Sequence, residues 1–208
     1  MDLHLWLAFV AASIALLLIP GPTVLLILSY ALSQGRRVAL ATVAGVTLGD
    51  FLAMSASLAG LGALVLASAT LFTGLKWIGA AYLAYLGVRL WRSAGSVGFG
   101  ALGEAEALPA RAVFGHAVLV TALNPKSIAF FVAFVPQFVD PAAPLGRQFV
   151  VLIATFVGLA GLNTLVWALL ADRMRARIGR PRVIAGLSRA GGVALIGMGV
   201  ATAALRRA

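Results

Sequence analysis

Apolar positions run along this chain in uncharged or nearly uncharged blocks of twenty residues and more, separated by short polar stretches that carry most of the arginines. A helix crossing the hydrocarbon of a bilayer needs roughly 20 such residues. The blocks predict six spans, at 5–32, 39–66, 71–91, 112–138, 149–170 and 183–205. Two of the blocks contain helix breakers at mid-length. Pro20-Gly21-Pro22 interrupts the run 3–33, and Asn124-Pro125-Lys126 interrupts the run 112–139. A broken helix frees backbone N–H and C=O groups that hydrocarbon cannot satisfy, so it is tolerated only inside protein or beside a wet cavity. One such break in each half of a chain is the pattern of a transporter binding site.

The halves resemble each other. Residues 93–111 are rich in Gly, Ala and Ser and hold no run long enough to enter a bilayer, so they read as a joint between repeats at about 1–92 and 112–208. Asn163 follows Asp50 by 113 residues, and the same offset relates Gly45 to Gly158, Lys76 to Arg189 and Gly79 to Gly192. Pro125 follows Pro22 by 103, so about ten residues were added between the fourth and fifth spans, placed around the segment 140–146. Three spans per copy is odd, so the copies must insert in opposite orientations. The expected fold is an all-α membrane protein, one transmembrane transporter domain over 1–208. It consists of two inverted three-helix repeats with broken helices in spans 1 and 4.

Composition agrees with the blocks. The chain is 62% hydrophobic and 11% charged, against about 45–50% and about 25% in soluble domains. The apolar run after Met1-Asp2-Leu3-His4 lacks a basic leader and is too long for a signal peptide, so it reads as a first span that stays in the protein. With no cysteine there is no disulfide framework, iron–sulfur site or thiol relay. Two histidines and six carboxylates make a metal site unlike this chain, and no cofactor is expected. No phosphate-binding Gly-x-x-x-x-Gly-Lys-Ser/Thr motif occurs, so ATP does not drive this chain directly.

A net charge of +10 would suggest nucleic acid in a soluble protein. Here the arginines lie in loops between spans, where they set orientation, and no nucleic-acid contact is expected. Arg36, Arg37, Arg89, Arg92, Arg111, Arg173, Arg175, Arg177, Arg180, Arg182 and Arg189 fall on one side, which is then cytoplasmic. Lys76, Arg147, Arg206 and Arg207 fall on the other. Trp6, Trp77, Trp91 and Trp167 lie near span ends, as an aromatic belt requires.

Asp50 is the costliest residue, since a carboxylate in mid-span costs about 2.5–3.5 kcal/mol on insertion scales. Either it ties down N–H groups at the Pro20–Pro22 break, or it is a proton or cation site. Lys126 follows Pro125 at the start of a half-helix, where the dipole is already positive, so an anionic partner is expected: Asp50 or a substrate carboxylate. Its bland alternative is snorkelling to an interface. Asn124 and Asn163 are interhelical hydrogen-bond partners or ligands of a substrate's charged ends. Gly45 and Gly49 form a close-packing pair, expected to bring Asp50 to the broken first span. Gln137 is either a solvated residue near a span end or functional, and Tyr82 and Tyr85 pack or line the cavity. Half-helix N-termini offer N–H groups to an α-carboxylate, and freed carbonyls with Asp50 can take an α-ammonium. The expected site is therefore Pro20, Gly21, Pro22, Asn124, Pro125, Lys126 and Asn163 for substrate, with Asp50 for the coupling proton.

These residues resemble a known family, the LysE/RhtB family of bacterial amino-acid exporters. Pro20-Gly21-Pro22 is similar to its first-span motif, and Gly35-Arg36-Arg37 with Gly45 and Gly49-Asp50 to its second. Lys76, Gly79, Tyr82-Leu83 and Gly87 resemble the third. Asn124-Pro125-Lys126, Phe130-Phe131 and Pro136-Gln137-Phe138 resemble the fourth. Spans five and six offer little beyond Gly158, Gly161 and Asn163. The resemblance implies a multi-pass protein of the bacterial inner membrane, not an enzyme. It would export amino acids by proton antiport, with the small molecule, protons and lipid as partners and a homo-oligomer left open. Few acidic groups are available for a second cationic charge, which favours neutral substrates of the homoserine, threonine or leucine kind. The alternatives are a metal-cation exporter of the same superfamily, a membrane redox component, which would need paired cysteines, and a non-transporting membrane scaffold.

Overall fold

The computed structural model describes residues 2–19, 21–94, 108–140, 143–178 and 181–204, with side chains at all of these except 22, 31–37, 64–67, 69, 72, 170–178 and 181–184. Pro20, the joint at 95–107, residues 141–142 of the expected insertion, and the side chains of Arg36, Arg37 and the arginines from 173 to 182 lie outside that description. All the regular structure described is helical. The elements are α1 (Leu3–Leu18), α2 (Pro22–Ala67), α3 (Ala69–Arg92), α4 (Ala110–Ala122), α5 (Pro125–Ala129), α6 (Leu145–Ile178) and α7 (Pro181–Ala204). A π-helical turn (Phe130–Phe134) and a 3-10 turn (Val135–Phe138) continue α5.

Among the described residues, four segments are long and apolar enough to cross a membrane: Val38–Ala63, Ala110–Phe138, Leu145–Leu169 and Ala185–Ala204. A fifth is counted if Leu3–Leu18 and Thr23–Tyr30, bent 56° at their break, form one span. The helix at the expected third span, α3, has 24 residues, long enough at 1.5 Å per residue, but falls outside this set. The set is drawn from the described residues alone, and the side chains of residues 69 and 72 within α3 lie outside that description.

The 46 residues of α2 would measure about 69 Å if straight. They do not run straight. The Tyr30 hydroxyl lies 2.8 Å from His116 Nδ1 on α4. A methyl group on Gly45 would sit 2.7 Å from Ala117 Cβ on that same helix. Straight helix would separate Thr23 from Gly49 by about 39 Å, yet Asn124 bonds the one and Thr121 and Ala122 lie against the other, so α2 bends back between them. Thr23 and Tyr30 meet Asn124 and His116, which is antiparallel to α4. Gly45 and Gly49 meet Phe114 and Val118, which is parallel to it. The later part of α2 thus forms the expected second span.

Directions elsewhere follow the same way. Gly87 faces Gly192 and Ala80 faces Gly199, so α3 and α7 cross antiparallel. Thr47 faces Gly161 and Phe149 faces Gly62, so α2 and α6 cross antiparallel. Meanwhile Trp6 bonds Thr155 and Asn163 bonds Leu17, so α1 runs parallel to α6, as α4 runs parallel to the later part of α2.

An aromatic cluster fastens the interrupted spans to each other. Phe9 of α1, Phe130, Phe131, Phe134 and Phe138 of the fourth span, and Phe156 of α6 are buried together. Their ring centroids lie 4.8–6.5 Å apart, in edge-on, tilted and one stacked contact, the range in which aromatic pairs attract.

Some expectations are corrected here. Trp167 is buried against Val24, Ile27 and Val46 rather than set in a belt, while Trp77 and Trp91 are exposed. Gln137 is buried, and its Nε2 donates to Thr202 Oγ1 at 2.6 Å, joining the fourth span to α7. Tyr82 and Tyr85 stack beside each other on the exposed side of α3 and line no interior site.

Candidate functional site

Proline builds both interruptions. At the second, Pro125 has no N–H to give the Thr121 carbonyl, and its ring disfavours helix at the residue before it. Accordingly α4 stops at Ala122, and Thr121 O takes the Asn124 N–H at 3.1 Å instead. Asn124 then starts the next helix as its N-cap, its Oδ1 accepting the Lys126 N–H at 3.1 Å, with Pro125 at the first helical position. At the first interruption, α1 ends at Leu18 and α2 begins at Pro22, where the Gly21 carbonyl accepts the Leu25 N–H at 3.0 Å.

The two interruptions meet. Asn124 Nδ2 donates to Thr23 Oγ1 at 3.1 Å, tying the start of α5 to the start of α2. Lys126 Nζ donates to Leu16 O at 3.0 Å and to Ile19 O at 2.9 Å. Asn163 Nδ2, from α6, donates to Leu17 O at 3.3 Å. The last carbonyls of a helix have no partner within it and carry the negative end of its dipole. Lys126 and Asn163 therefore cap the C-terminus of α1 from two other spans. The hydrogen-bond partners of the Lys126 ammonium are at a helix end, and the carboxylate of Asp50 lies within its electrostatic reach. Gly21 lies beside the ammonium, where an added Cβ would touch Nζ at an ordinary van der Waals distance of 3.5 Å.

Asp50 stands in the middle of the segment Val38–Ala63 and is 3% exposed. Its charge attracts that of Lys126, yet no hydrogen bond or ion pair joins the two, and none reaches Asp50 from any described residue. The described side-chain polar atoms that are wholly enclosed and unpartnered are Ser13 Oγ and Thr121 Oγ1. Gly45 and Gly49 pack against α4: a Cβ on Gly49 would lie 2.8 Å from Val118 O and Thr121 Cβ, which brings the backbone at Asp50 beside the end of α4, at the second interruption. Asp50 is also within electrostatic reach of Lys126, whose Nζ caps the end of α1.

Of the expected site residues, Gly21, Asn124, Pro125, Lys126 and Asn163 gather around the end of α1, with the first turn of α2 at Pro22 joined to them. Asp50 sits within electrostatic reach, and Pro20 lies outside the described residues. Sequence reasoning passed over Thr23, Ser13 and Thr121, hydroxyls in apolar runs, of which Thr23 could have been found as the residue after Pro22. It also passed over the carbonyls of Leu16, Leu17 and Ile19, which no side-chain pattern announces.

A bundle of apolar helices in which two interrupted spans are bonded to each other, with a cation and an acid inside, is a multi-pass membrane protein. The model of the LysE type translocators matches residues 14–205, and the chain belongs to that family. It is 35% identical over 200 residues to an uncharacterized membrane protein of Vibrio cholerae serotype O1, covering 96% of this chain and 97% of that one. It is 33% identical over 208 residues to the homoserine/homoserine lactone efflux protein of Salmonella typhimurium, covering 100% of both. The leucine efflux protein of Salmonella typhi is 34% identical over 155 residues, 74% of this chain and 72% of that protein. No solved structure matches the chain.

Proposed function

We propose that the chain is a secondary transporter exporting neutral amino acids, of the homoserine, threonine or leucine kind, across the bacterial inner membrane in exchange for protons. Family membership and the efflux relatives support the cargo class. The observation that carries the site is the junction of the two interruptions, with Lys126 Nζ on Leu16 O and Ile19 O and Asn124 on Thr23. Gly21, Pro22, Asn124, Pro125, Lys126 and Asn163, together with Pro20, border the substrate there. The free N–H groups of the new half-helices face the α-carboxylate, and the α1 carbonyls face the α-ammonium.

The architecture is six spans in two inverted repeats, with α3 as the third span. The antiparallel crossings of α3 with α7 and of α2 with α6 favour it, as do the matching parallel pairs of α1 with α6 and α4 with α2. In this symmetry Asp50 stands in the first repeat where Asn163 stands in the second. Asn163 donates to the end of α1. A carboxylate has no proton to donate, so Asp50 can make the matching bond to the end of α4 only as the acid. That supplies a reason for proton coupling at this residue: its protonation state decides whether the second interruption is capped.

The test is flux in proteoliposomes under an imposed pH gradient, with homoserine, threonine and leucine as cargo. Gradient-driven movement of at least one is expected in the wild type and none in Asp50→Asn. Gradient-independent flux, or wild-type flux in Asp50→Asn, overturns the proposal.

A further inference from the structure

Lys126 fills the carbonyls that a substrate ammonium would need. A lysine head and an amino acid's α-ammonium are the same group chemically, –NH3+ with three donors and no acceptor. Its seat is built for such a group: two carbonyls from the end of α1 at 3.0 and 2.9 Å, with Gly21 alongside. The third α1 carbonyl is held separately by Asn163, so the end of α1 keeps a partner when the lysine leaves. A second seat lies within electrostatic reach at Asp50, which has no hydrogen-bond partner among the described residues. The lysine stem is a flexible chain of four carbons, able to swing its head by several ångströms.

From this we infer that Lys126 is a tethered competitor of the substrate. In the unloaded protein its ammonium occupies the α1 carbonyls. An entering amino acid displaces it with its own α-ammonium, and the lysine moves to Asp50. When the substrate leaves, the lysine returns, so the carbonyls are never left bare in the membrane, where an unpaired polar group is costly. The device selects for cargo with a free α-ammonium. An N-acetyl amino acid or an α-hydroxy acid has no cation to put in the lysine's place. This deepens the proposed function and rests on it.

The chain has two lysines, Lys76 and Lys126, which makes the movement directly observable. In protein labelled with 15N at lysine Nζ, with Lys76→Arg to assign the signals, L-homoserine or L-leucine is expected to shift the Lys126 resonance. N-acetyl-homoserine is expected to leave it in place. In Lys126→Met, binding of whichever amino acid the wild type transports is expected to tighten at least tenfold, while binding of the matching α-hydroxy acid stays unchanged. An unmoved Lys126 signal in wild-type protein saturated with a transported amino acid overturns the inference, as does weaker binding in folded Lys126→Met. If that variant does not fold, the resonance experiment decides. Absence of any amino-acid flux in the wild type would instead overturn the proposed function, so the two failures are distinct.

Discussion

Asn124 makes two bonds with separable jobs, and a pair of substitutions takes them apart. Its Oδ1 caps α5 through the Lys126 N–H, and its Nδ2 reaches Thr23 Oγ1 on the other interrupted span, each at 3.1 Å. Asn124→Ala removes both. Loss of an N-cap costs about 1 kcal/mol, and an interhelical hydrogen bond in a membrane protein contributes about 0.6 kcal/mol. The residue is 3% exposed, so the groups left behind have little water to turn to, and a total near 2 kcal/mol is expected. Asn124→Ser keeps a good capping oxygen but is too short to reach Thr23, so it should lose only the smaller share. Thr23→Val removes the same bond from the other end. Unfolding titrations of the four members of the cycle Asn124→Ser with Thr23→Val measure the coupling directly. A coupling of roughly 0.6 kcal/mol, and no more than about 1.7, is expected. Because this bond joins the interruptions, Asn124→Ser should also slow flux more than its small loss of stability explains. Zero coupling, or equal costs for Ser and Ala, would refute the two-job account.

Other outcomes follow from the same contacts. Gly87→Leu should prevent folding or shift α3 off α7, because even a Cβ there lies 2.6 Å from Gly192 O; the expected loss is about 1–3 kcal/mol or more, read from thermal unfolding in detergent. Asn163→Leu leaves Leu17 O without its side-chain partner and should cost about 1–3 kcal/mol, with Asn163→Gln recovering part of it. Gln137→Leu should loosen α7 by about 1 kcal/mol through loss of the Thr202 bond, while leaving the selectivity of transport unchanged in the flux assay. Asp50→Asn is expected to insert and fold as the wild type does, yet to lose gradient-driven flux in proteoliposomes.

The interruptions were legible because proline acts locally. Its missing N–H and fixed φ break a helix wherever it stands, so the run 3–33 and the run 112–139 announce their breaks without knowledge of any neighbour. What lies across the break is not local. The ammonium of Lys126 and the amide of Asn163 find backbone carbonyls, which every residue has, so nothing in the sequence of α1 marks Leu16, Leu17 and Ile19 as acceptors. The glycine pair at 45 and 49 signals a close approach without naming the helix approached, and that helix proved to be α4. Gln137 and Trp167 were misread for a related reason: position near a span end suggests an interface, but packing against α7 and α2 buries them.

On the proposed architecture, the symmetry of the frame and the asymmetry of its polar groups together give transport a direction. Two copies of one helical unit, inserted in opposite senses, would present the same backbone device to both sides of a membrane: a span interrupted near its middle. If both interruptions were capped alike, neither state would be preferred. They are capped differently. The end of α1 is held by an amide that cannot titrate and by a lysine on a flexible stem. The end of α4 has beside it an acid, with a buried Thr121 hydroxyl that has no partner. On the proposed function, a substrate's charge acts at the first interruption and a proton acts at the second. On that reading the bond between Asn124 and Thr23 and the aromatic cluster around Phe130 make one interruption follow when the other rearranges. Coupling then needs no long pathway across the bundle. It needs one ammonium with two seats, one of which exists only while Asp50 is ionised.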